Sequence, residues 1–442
     1  MIAIGFRGRA SARALSLALL PGLLLVSATA PRAEVSLDGS FRFGYGTRER
    51  ELMEGSAQLE LRGDHDINDS LAVVGSVRAR IQSIDLLEPG TPAYDTYSDA
   101  SRPWTPSSQV TVELRDFFVE WRPGEQRFIV GKQQVVWGNL DGLRVLDQMN
   151  PHSFREFILA DFDESRINLW SVYGDLSLLG FRAELLWNPD TTVHDIPEAG
   201  AWFELTAPRF RYGADPDAPG LPVRTDLPQD FEDGTIGGRL SRRVGGTELR
   251  LQAQTGLDYE PLGRVIIDDG QPVLERYYER REIYGASLET AFGGYVLRGE
   301  LSAQPKRFLP VLTDGRPDAA TGDQWTAALG LDVDAPFDTF LNVQYVFDRI
   351  EKAPEGLIRN KTDHIVTATL RRSFAYEALA VEARWYGNLE DNDGLARLIL
   401  RYTMDGGATL GLSGDYFYGQ VEGIFGQFKE RDRITLFVDF RI

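Results

Sequence analysis

The chain of 442 residues contains no cysteine and only four histidines. Without cysteine it cannot form disulfide bridges, thiolate metal sites or covalent haem attachments. The histidines are His65, His152, His194 and His364, and no two of them have the spacing of metal ligands. Since histidine is also the usual base in hydrolases, the sequence predicts no catalytic residue, no metal site and no cofactor.

Long apolar runs are almost absent. The longest spans residues 14–26, follows a start rich in arginine, and precedes the small residues at 28–30. This order is typical of a secretory signal peptide, which we assign to residues 1–33. The run is shorter than the roughly 20 residues that a membrane-spanning helix needs. We therefore expect an exported chain that crosses no membrane as a helix.

Basic residues are outnumbered by acidic ones, 47 against 66, which gives a formal net charge of −19. The phosphate backbone of a nucleic acid repels such a chain, because binding to it depends on an excess of lysine and arginine. Nucleic acid is therefore not an expected partner.

What the sequence does contain, from about residue 34 to its end, is a succession of short segments that are apolar at every second position. In the last segment the apolar residues are Ile434, Leu436, Val438, Phe440 and Ile442, and the polar ones are Arg433, Thr435, Asp439 and Arg441. This period is that of a strand with one face in lipid and the other toward a lumen. We count about eighteen such segments, with 16–18 as the expected range.

The connections between these segments alternate between short and long. Short turns are expected at 123–125, 174–175, 245–246, 293–294 and 405–407, and long connections at 85–108, 137–163, 189–233, 259–279 and 305–322. Outer-membrane barrels have short periplasmic turns and long outer loops. Residues 34–442 are therefore predicted to form a closed, antiparallel, up-and-down transmembrane β-barrel, without a plug domain, in the outer membrane of a Gram-negative bacterium.

The polar phase of the segments is rich in arginine, with Arg80 and Arg384 as examples. An arginine-lined lumen suits anionic solutes, because the guanidinium group pairs with carboxylate or phosphate and stays charged at any working pH. The alternative is that these arginines form cross-strand pairs with Glu and Asp and only stiffen the wall. The sequence leaves both interpretations open.

The long connection 137–163 is unusually apolar for an outer loop. Such residues favour packing against other parts of the protein, and folding into the lumen as a constriction is the simplest arrangement. The candidate solute contacts in it are Arg144, Asp147, Asn150, His152, Arg155, Glu156 and Asp161. The alternative is that they form a buried network that ties the connection to the wall.

The same region carries a specific sequence pattern. It runs from Gly131 to Gly138 as GKQQVVWG, continues with DQMNP from Asp147, and ends with REF from Arg155. The pattern resembles a family of proteobacterial outer-membrane proteins classed as a domain of unknown function. The resemblance implies an outer-membrane barrel that acts in transport beside an inner-membrane export or lipid-handling partner, and it brings no catalytic residue with it.

Several functions follow from these observations. The preferred hypothesis is a porin-like channel that passes small solutes, with anions as the favoured class if the wall arginines are free. The runner-up is a conduit for lipids or other hydrophobic compounds that works with an export system. A hydrolase would have to use His152, Ser153 and Asp147, although neighbours in sequence seldom form a triad. An adhesion barrel would have a sealed lumen.

The expected partners of such a barrel are outer-membrane lipid, lipopolysaccharide, the barrel assembly machinery and an inner-membrane export protein. The sequence does not specify the solute, the direction of transport or the oligomeric state.

Overall fold

The computed structural model describes residues 33–213, 221–228 and 231–442, so residues 1–32 of the predicted signal peptide lie outside the described part. The only helical elements in the described part are two short ones, the α-helix Phe162–Ser165 and the 3-10 helix Gly426–Phe428. No helix in those ranges is long and apolar enough to cross a membrane. The described chain is built almost entirely from β-strands.

Eighteen strands, labelled β1 to β18 in chain order, form one antiparallel sheet that closes on itself. They are β1 (Ala33–Gly46), β2 (Glu51–Asn68), β3 (Leu71–Asp85), β4 (Val110–Trp121), β5 (Arg127–Gln133), β6 (Leu169–Leu178), β7 (Phe181–Asn188), β8 (Thr235–Val244), β9 (Thr247–Leu257), β10 (Arg280–Phe292), β11 (Tyr295–Thr313), β12 (Arg316–Ala335), β13 (Thr339–Glu351), β14 (Thr362–Phe374), β15 (Leu379–Asn388), β16 (Asp393–Thr403), β17 (Thr409–Tyr418) and β18 (Arg433–Arg441). Each pairs with the next, and β18 pairs with β1 in a register that places Phe41 opposite Val438. The predicted closed barrel is confirmed.

The two faces of the wall differ as the sequence period predicts. In β13, Val343 and Tyr345 are 42% and 40% exposed, whereas Asn342 and Gln344 between and beside them are 2% exposed. The exposed apolar face is the one that lipid covers in such a barrel. The buried polar face lines the interior, where it meets the connections that enter from the outer side.

One predicted turn is wrong. Residues Gly174 and Asp175 lie inside β6, which continues to Leu178, and the turn is formed by Leu179 and Gly180. Both turn residues have positive φ, 52° and 78°, as a two-residue hairpin turn of this hand requires. Gly180 meets that requirement without strain. Gly174 instead gives room in the sheet to the ring of Phe128 on β5.

The predicted long connection at 305–322 is also wrong. Strands β11 and β12 continue through it and meet at a turn at 314–315, with a bulge between Gln304 and Arg307. The hairpin extends this far because Leu309 and Val311 are buried against other outer segments rather than left in water. The alternation of lengths is not strict either, since the outer connections 47–50 and 389–392 are as short as the inner turns.

The described parts of the connection after β7 cross the outer mouth of the barrel. The Trp202 backbone N–H donates to the Leu86 carbonyl, at 2.6 Å, beside β3. Farther on, the backbone N–H of Ala207 donates to Gln427 at 3.0 Å, before β18. A hairpin of strands Leu262–Asp268 and Gln271–Tyr277 adds Val223–Thr225 as a third, parallel strand. These contacts make the outer connections one packed layer.

Candidate solute path

The connection between β5 and β6, residues 134–168, lies against the interior face of the wall. Side chains from four strands spread around the barrel hold it by hydrogen bonds. These are Arg115 to the Arg166 carbonyl (2.8 Å), the Leu146 N–H to Glu300 (3.1 Å), Gln344 to the Asp141 carbonyl (2.6 Å) and Arg433 to Glu156 (2.9 Å). Since these strands lie on different sides of the barrel, the connection spans the interior.

Apolar residues of this connection are buried in three clusters. Trp137 and Met149 cluster with Ile129 and Tyr173. Val145 and Leu146 cluster with Ala328 and Val346. Phe157 and Leu159 cluster with Phe417 and Phe428. Burial of this apolar surface removes the cost of exposing it to water. It explains why the sequence of the connection is so apolar.

A network of buried charges joins the connection to β18. Arg433, 2% exposed, donates to Asp415 at 2.8 Å and to Glu156 at 2.9 Å. Glu156 also lies 3.6 Å from Arg42 on β1. The arginines hold the pKa of Glu156 below its ordinary value, although burial acts in the opposite direction. The carboxylate of Glu156 therefore stays charged and fixes the connection to the wall.

Three other candidate contacts are taken up by the connection and its surroundings. Asp147 accepts from Arg166 at 2.7 Å and from the Trp137 N–H at 3.2 Å. The Asn150 side chain accepts from the Val135 N–H at 2.8 Å. Arg155 donates to Glu88 at 2.6 Å and to Gln82 at 2.8 Å. These contacts agree with the alternative interpretation of the sequence, in which such residues form a buried network that ties the connection to the wall.

The residues that a hydrolase would need do not come together. His152 Nδ1 lies 2.9 Å from Ser165 Oγ, whereas Ser153 donates to Asp195 at 2.7 Å. Burial, followed by the charge of Arg144, holds the pKa of His152 well below its ordinary range. Burial also raises the pKa of Asp195 to about 7. His152 is therefore a neutral side chain between two connections, with no acid oriented against it.

The remaining candidates differ in their surroundings. Arg80 on β3 pairs with Glu88 at 2.8 Å, and Arg384 on β15 pairs with Glu382. Asp161 is exposed and precedes the short helix Phe162–Ser165. Arg144 is half-buried and has no ion pair among the described residues. The two wall arginines are thus neutralised by neighbours, and Arg144 is not.

Three cavities follow one another between strands β1 to β4 and the connection 134–168. The first has a volume of about 290 Å³ and opens near Asp38 and Arg441. The second, of about 60 Å³, shares Ser40 and Glu164 with the first. The third, of about 30 Å³, shares Arg80 with the second. Together they form a path that narrows from the ends of β1 and β18 toward the outer side.

The outer end of this path is closed by the connection between β3 and β4. Tyr94 and Tyr97 line the last cavity, are 6% and 4% exposed, and stack edge to face at 5.3 Å. Glu88 of the same connection forms ion pairs with both Arg80 and Arg155. Sequence analysis did not identify these three residues, and the only signal for them is a pair of tyrosines in a polar connection.

Along the path, arginines and carboxylates are interleaved. Arg78 lies 3.0 Å from Glu60, and Arg42 lies 3.3 Å from Glu164, which lines all three cavities. The path is therefore strongly polar, with each positive group near a negative one. Among the described residues, no group of three or more acidic or histidine side chains is arranged to hold a metal ion.

Comparisons with solved structures reveal similar barrels. OccAB1 of Acinetobacter baumannii has a TM-score of 0.52 at 8% identity, and the match covers 93% of this chain and 96% of that one. OpdK of Pseudomonas aeruginosa (TM-score 0.49, 10% identity) covers 93% and 98%, and OmpF of Salmonella typhi with daunomycin (0.48, 8%) covers 94% and 99%. At this identity the likeness to OccAB1 shows the fold alone, which is that of outer-membrane porin-like barrels.

No curated protein matches the chain. A family match covers residues 88–441, which includes the connection with the motif and fifteen of the eighteen barrel strands. The chain belongs to the family described as "Protein of unknown function (DUF1302)".

Proposed function

We propose that this protein is a porin-like channel that passes small polar solutes across the outer membrane. The observation that carries the proposal is the series of three adjoining polar cavities between β1 to β4 and the connection 134–168. Barrels of this size hold an aqueous lumen unless connections fill it. Here the connection 134–168 fills much of the lumen and leaves one side open, so it acts as the constriction.

The closed outer end makes the channel a gated one. Tyr94 and Tyr97 close the path beneath the layer of outer connections. Movement of the connection between β3 and β4 would open the path without disturbing the barrel, because outer loops are the least stable parts of such a fold. The recorded current should therefore switch between closed and open levels rather than stay constant.

A preference for anions is the finer part of the proposal. Guanidinium groups stay charged, whereas the Asp195 carboxyl at the outer end of the path, with a pKa of about 7, is largely protonated below neutral pH. Positive charge along the path therefore gains weight as the pH falls through 7. Acidic residues on the outer connections affect ion selectivity less than charges along the path do, since salt screens charges beyond about 10 Å at 0.1 M.

Reversal potentials in a salt gradient test this preference. We expect the preference of native channels to shift toward chloride and away from potassium between about pH 8 and about pH 6, because Asp195 is protonated at the lower pH. Changing Arg80→Glu, which lines the second and third cavities, should shift the reversal potential toward cations. Arg264→Glu, an exposed ion-paired arginine on the outer hairpin away from the path, is the matched control and should leave it unchanged. A reversal potential that is the same at both pH values would contradict this part.

A conduit for hydrophobic compounds is the second candidate function. Its support is the largest apolar cluster, which lies inside the mouth and includes Phe157, Phe203 and Phe428. An inner-membrane export protein would be its partner. Purified protein that carries no ionic current, yet binds a fluorescent fatty acid that Phe203→Asp abolishes, would favour this candidate over the channel.

A further inference from the structure

Arg144 occupies a fixed position in the middle of the connection 134–168. Its neighbours Val145 and Leu146 are buried in the cluster with Ala328 and Val346. On the other side, the Gln148 side chain donates to the Arg144 carbonyl at 2.8 Å. The backbone at Arg144 is therefore held from both sides, which fixes the point from which its side chain extends.

The guanidinium of Arg144 has no polar partner among the described residues. Its Nη1 atom is shielded from solvent and makes no hydrogen bond to that part of the chain. The guanidinium carbon lies 6.0 Å from the centroid of the Phe154 ring. A shielded, unmatched guanidinium is unusual, because leaving a charged donor unpaired costs more than the loss of an ordinary hydrogen bond.

The two carboxylates that act on Arg144 are both engaged elsewhere. Asp147 is held by Arg166, at 2.7 Å, and Glu260 is held by Arg307, at 2.9 Å. Burial lowers the pKa of Arg144 to about 10, and Arg281 and Arg166 act in the same direction. Arg144 therefore remains a cation at neutral pH whose charge is only partly balanced.

Solvent reaches this region. The side chain of Glu260 is 63% exposed, although Arg307 beside it is 4% exposed. Glu260 lies near the start of the connection after β9. Arg144 is itself only half-buried, so part of its side chain also meets solvent.

We infer that Arg144 and Phe154 form a binding site for a small carboxylate with an apolar body. The Nε and Nη2 edge of the guanidinium, away from the shielded Nη1, offers two parallel donors that match a carboxylate, and the ring of Phe154 offers an apolar surface beside them. Asp147 and Glu260 would repel a phosphate dianion more strongly than a monoanion. This site would define a class of solute for the proposed channel. The inference rests on the proposed function in one respect, namely that solutes can enter the interior of the barrel.

Calorimetric titration of the purified full-length protein with sodium benzoate tests the site. We expect native protein to bind benzoate, and Arg144→Gln to bind it at least about tenfold more weakly, because a hydrogen bond to a charged group is lost. Arg144→Lys keeps the positive charge but loses the two parallel donors, so its affinity for benzoate should lie between those of native protein and Arg144→Gln. Arg224→Gln, an exposed ion-paired arginine on an outer connection, is the control and should bind as the native protein does.

Two further probes define the ligand class. Neutral benzamide and inorganic phosphate should both bind much more weakly than benzoate. Benzoate binding that is unchanged in Arg144→Gln and in Arg144→Lys, phosphate binding equal to that of benzoate, or no benzoate binding by native protein would each overturn the inference. Conductance of the same preparations separates the two proposals: current without benzoate binding removes this site only, and benzoate binding without current removes the channel only.

Discussion

Replacing Arg433 with methionine is expected to lower the free energy of unfolding by about 3–5 kcal/mol, the range found when one partner of a buried ion pair is removed. Arg433 is 2% exposed and meets Asp415 and Glu156, both of them buried. In the variant, Asp415 remains paired with Arg397, at 3.1 Å, and Glu156 remains paired with Arg42, at 3.6 Å. The decrease in the free energy of unfolding should therefore lie near the lower end of that range.

Urea unfolding of protein refolded into lipid vesicles, followed by tryptophan fluorescence, measures this loss. Arg62→Met is the matched control, because Arg62 is 35% exposed and pairs with Asp64 and Asp116. Exposed pairs contribute about 0–1 kcal/mol, so this variant should unfold nearly as the native protein does. Equal losses in the two variants would show that the network around Arg433 does not hold the connection in place.

Deleting residues 141–157, with a glycine linker between the ends, is expected to raise the single-channel conductance severalfold and to weaken its selectivity. The deleted part contains the anchors Val145, Leu146 and Phe157, which pack across the lumen. Conductance rises when the narrowest part of a path is widened. Planar-bilayer recordings of native and deleted protein measure the change.

The matched control removes residues 266–273, which pair with one another at the exposed end of an outer hairpin. This deletion leaves the interior untouched and should change neither conductance nor selectivity. If deleting 141–157 left the conductance at its native level, the connection would not line the conducting path.

The barrel could be predicted from the sequence because its signal is local. Alternation along β18 and β13 depends only on which neighbours meet lipid, and it fixed the strand phases correctly. The turn at 174–175 was wrong for the same reason: Gly-Asp and Leu-Gly both suit a turn locally. Only the pairing of β5, β6 and β7 decides that the chain reverses at Gly180.

The candidate path could be predicted only in part. The apolar content of the connection 137–163 indicates burial, but not which strands it meets. Glu88, Tyr94 and Tyr97 reach the path only because the connection between β3 and β4 folds over it. The partners of Asp147 and Glu156 likewise come from distant parts of the chain, and no spacing in the sequence encodes them.

The most direct test of the conducting path uses the absence of cysteine from the chain, since one substitution then gives a single reactive thiol. Ala160 lines the second cavity, so Ala160→Cys places that thiol in the path. A bulky thiol reagent should sharply reduce the current through this variant. It should leave native protein and Ser107→Cys unaffected, because Ser107 is exposed at the end of the short strand Trp104–Ser107, which pairs with β4. An unchanged current after complete labelling, verified by mass spectrometry, would contradict the proposal that solutes pass between β1 to β4 and the connection 134–168.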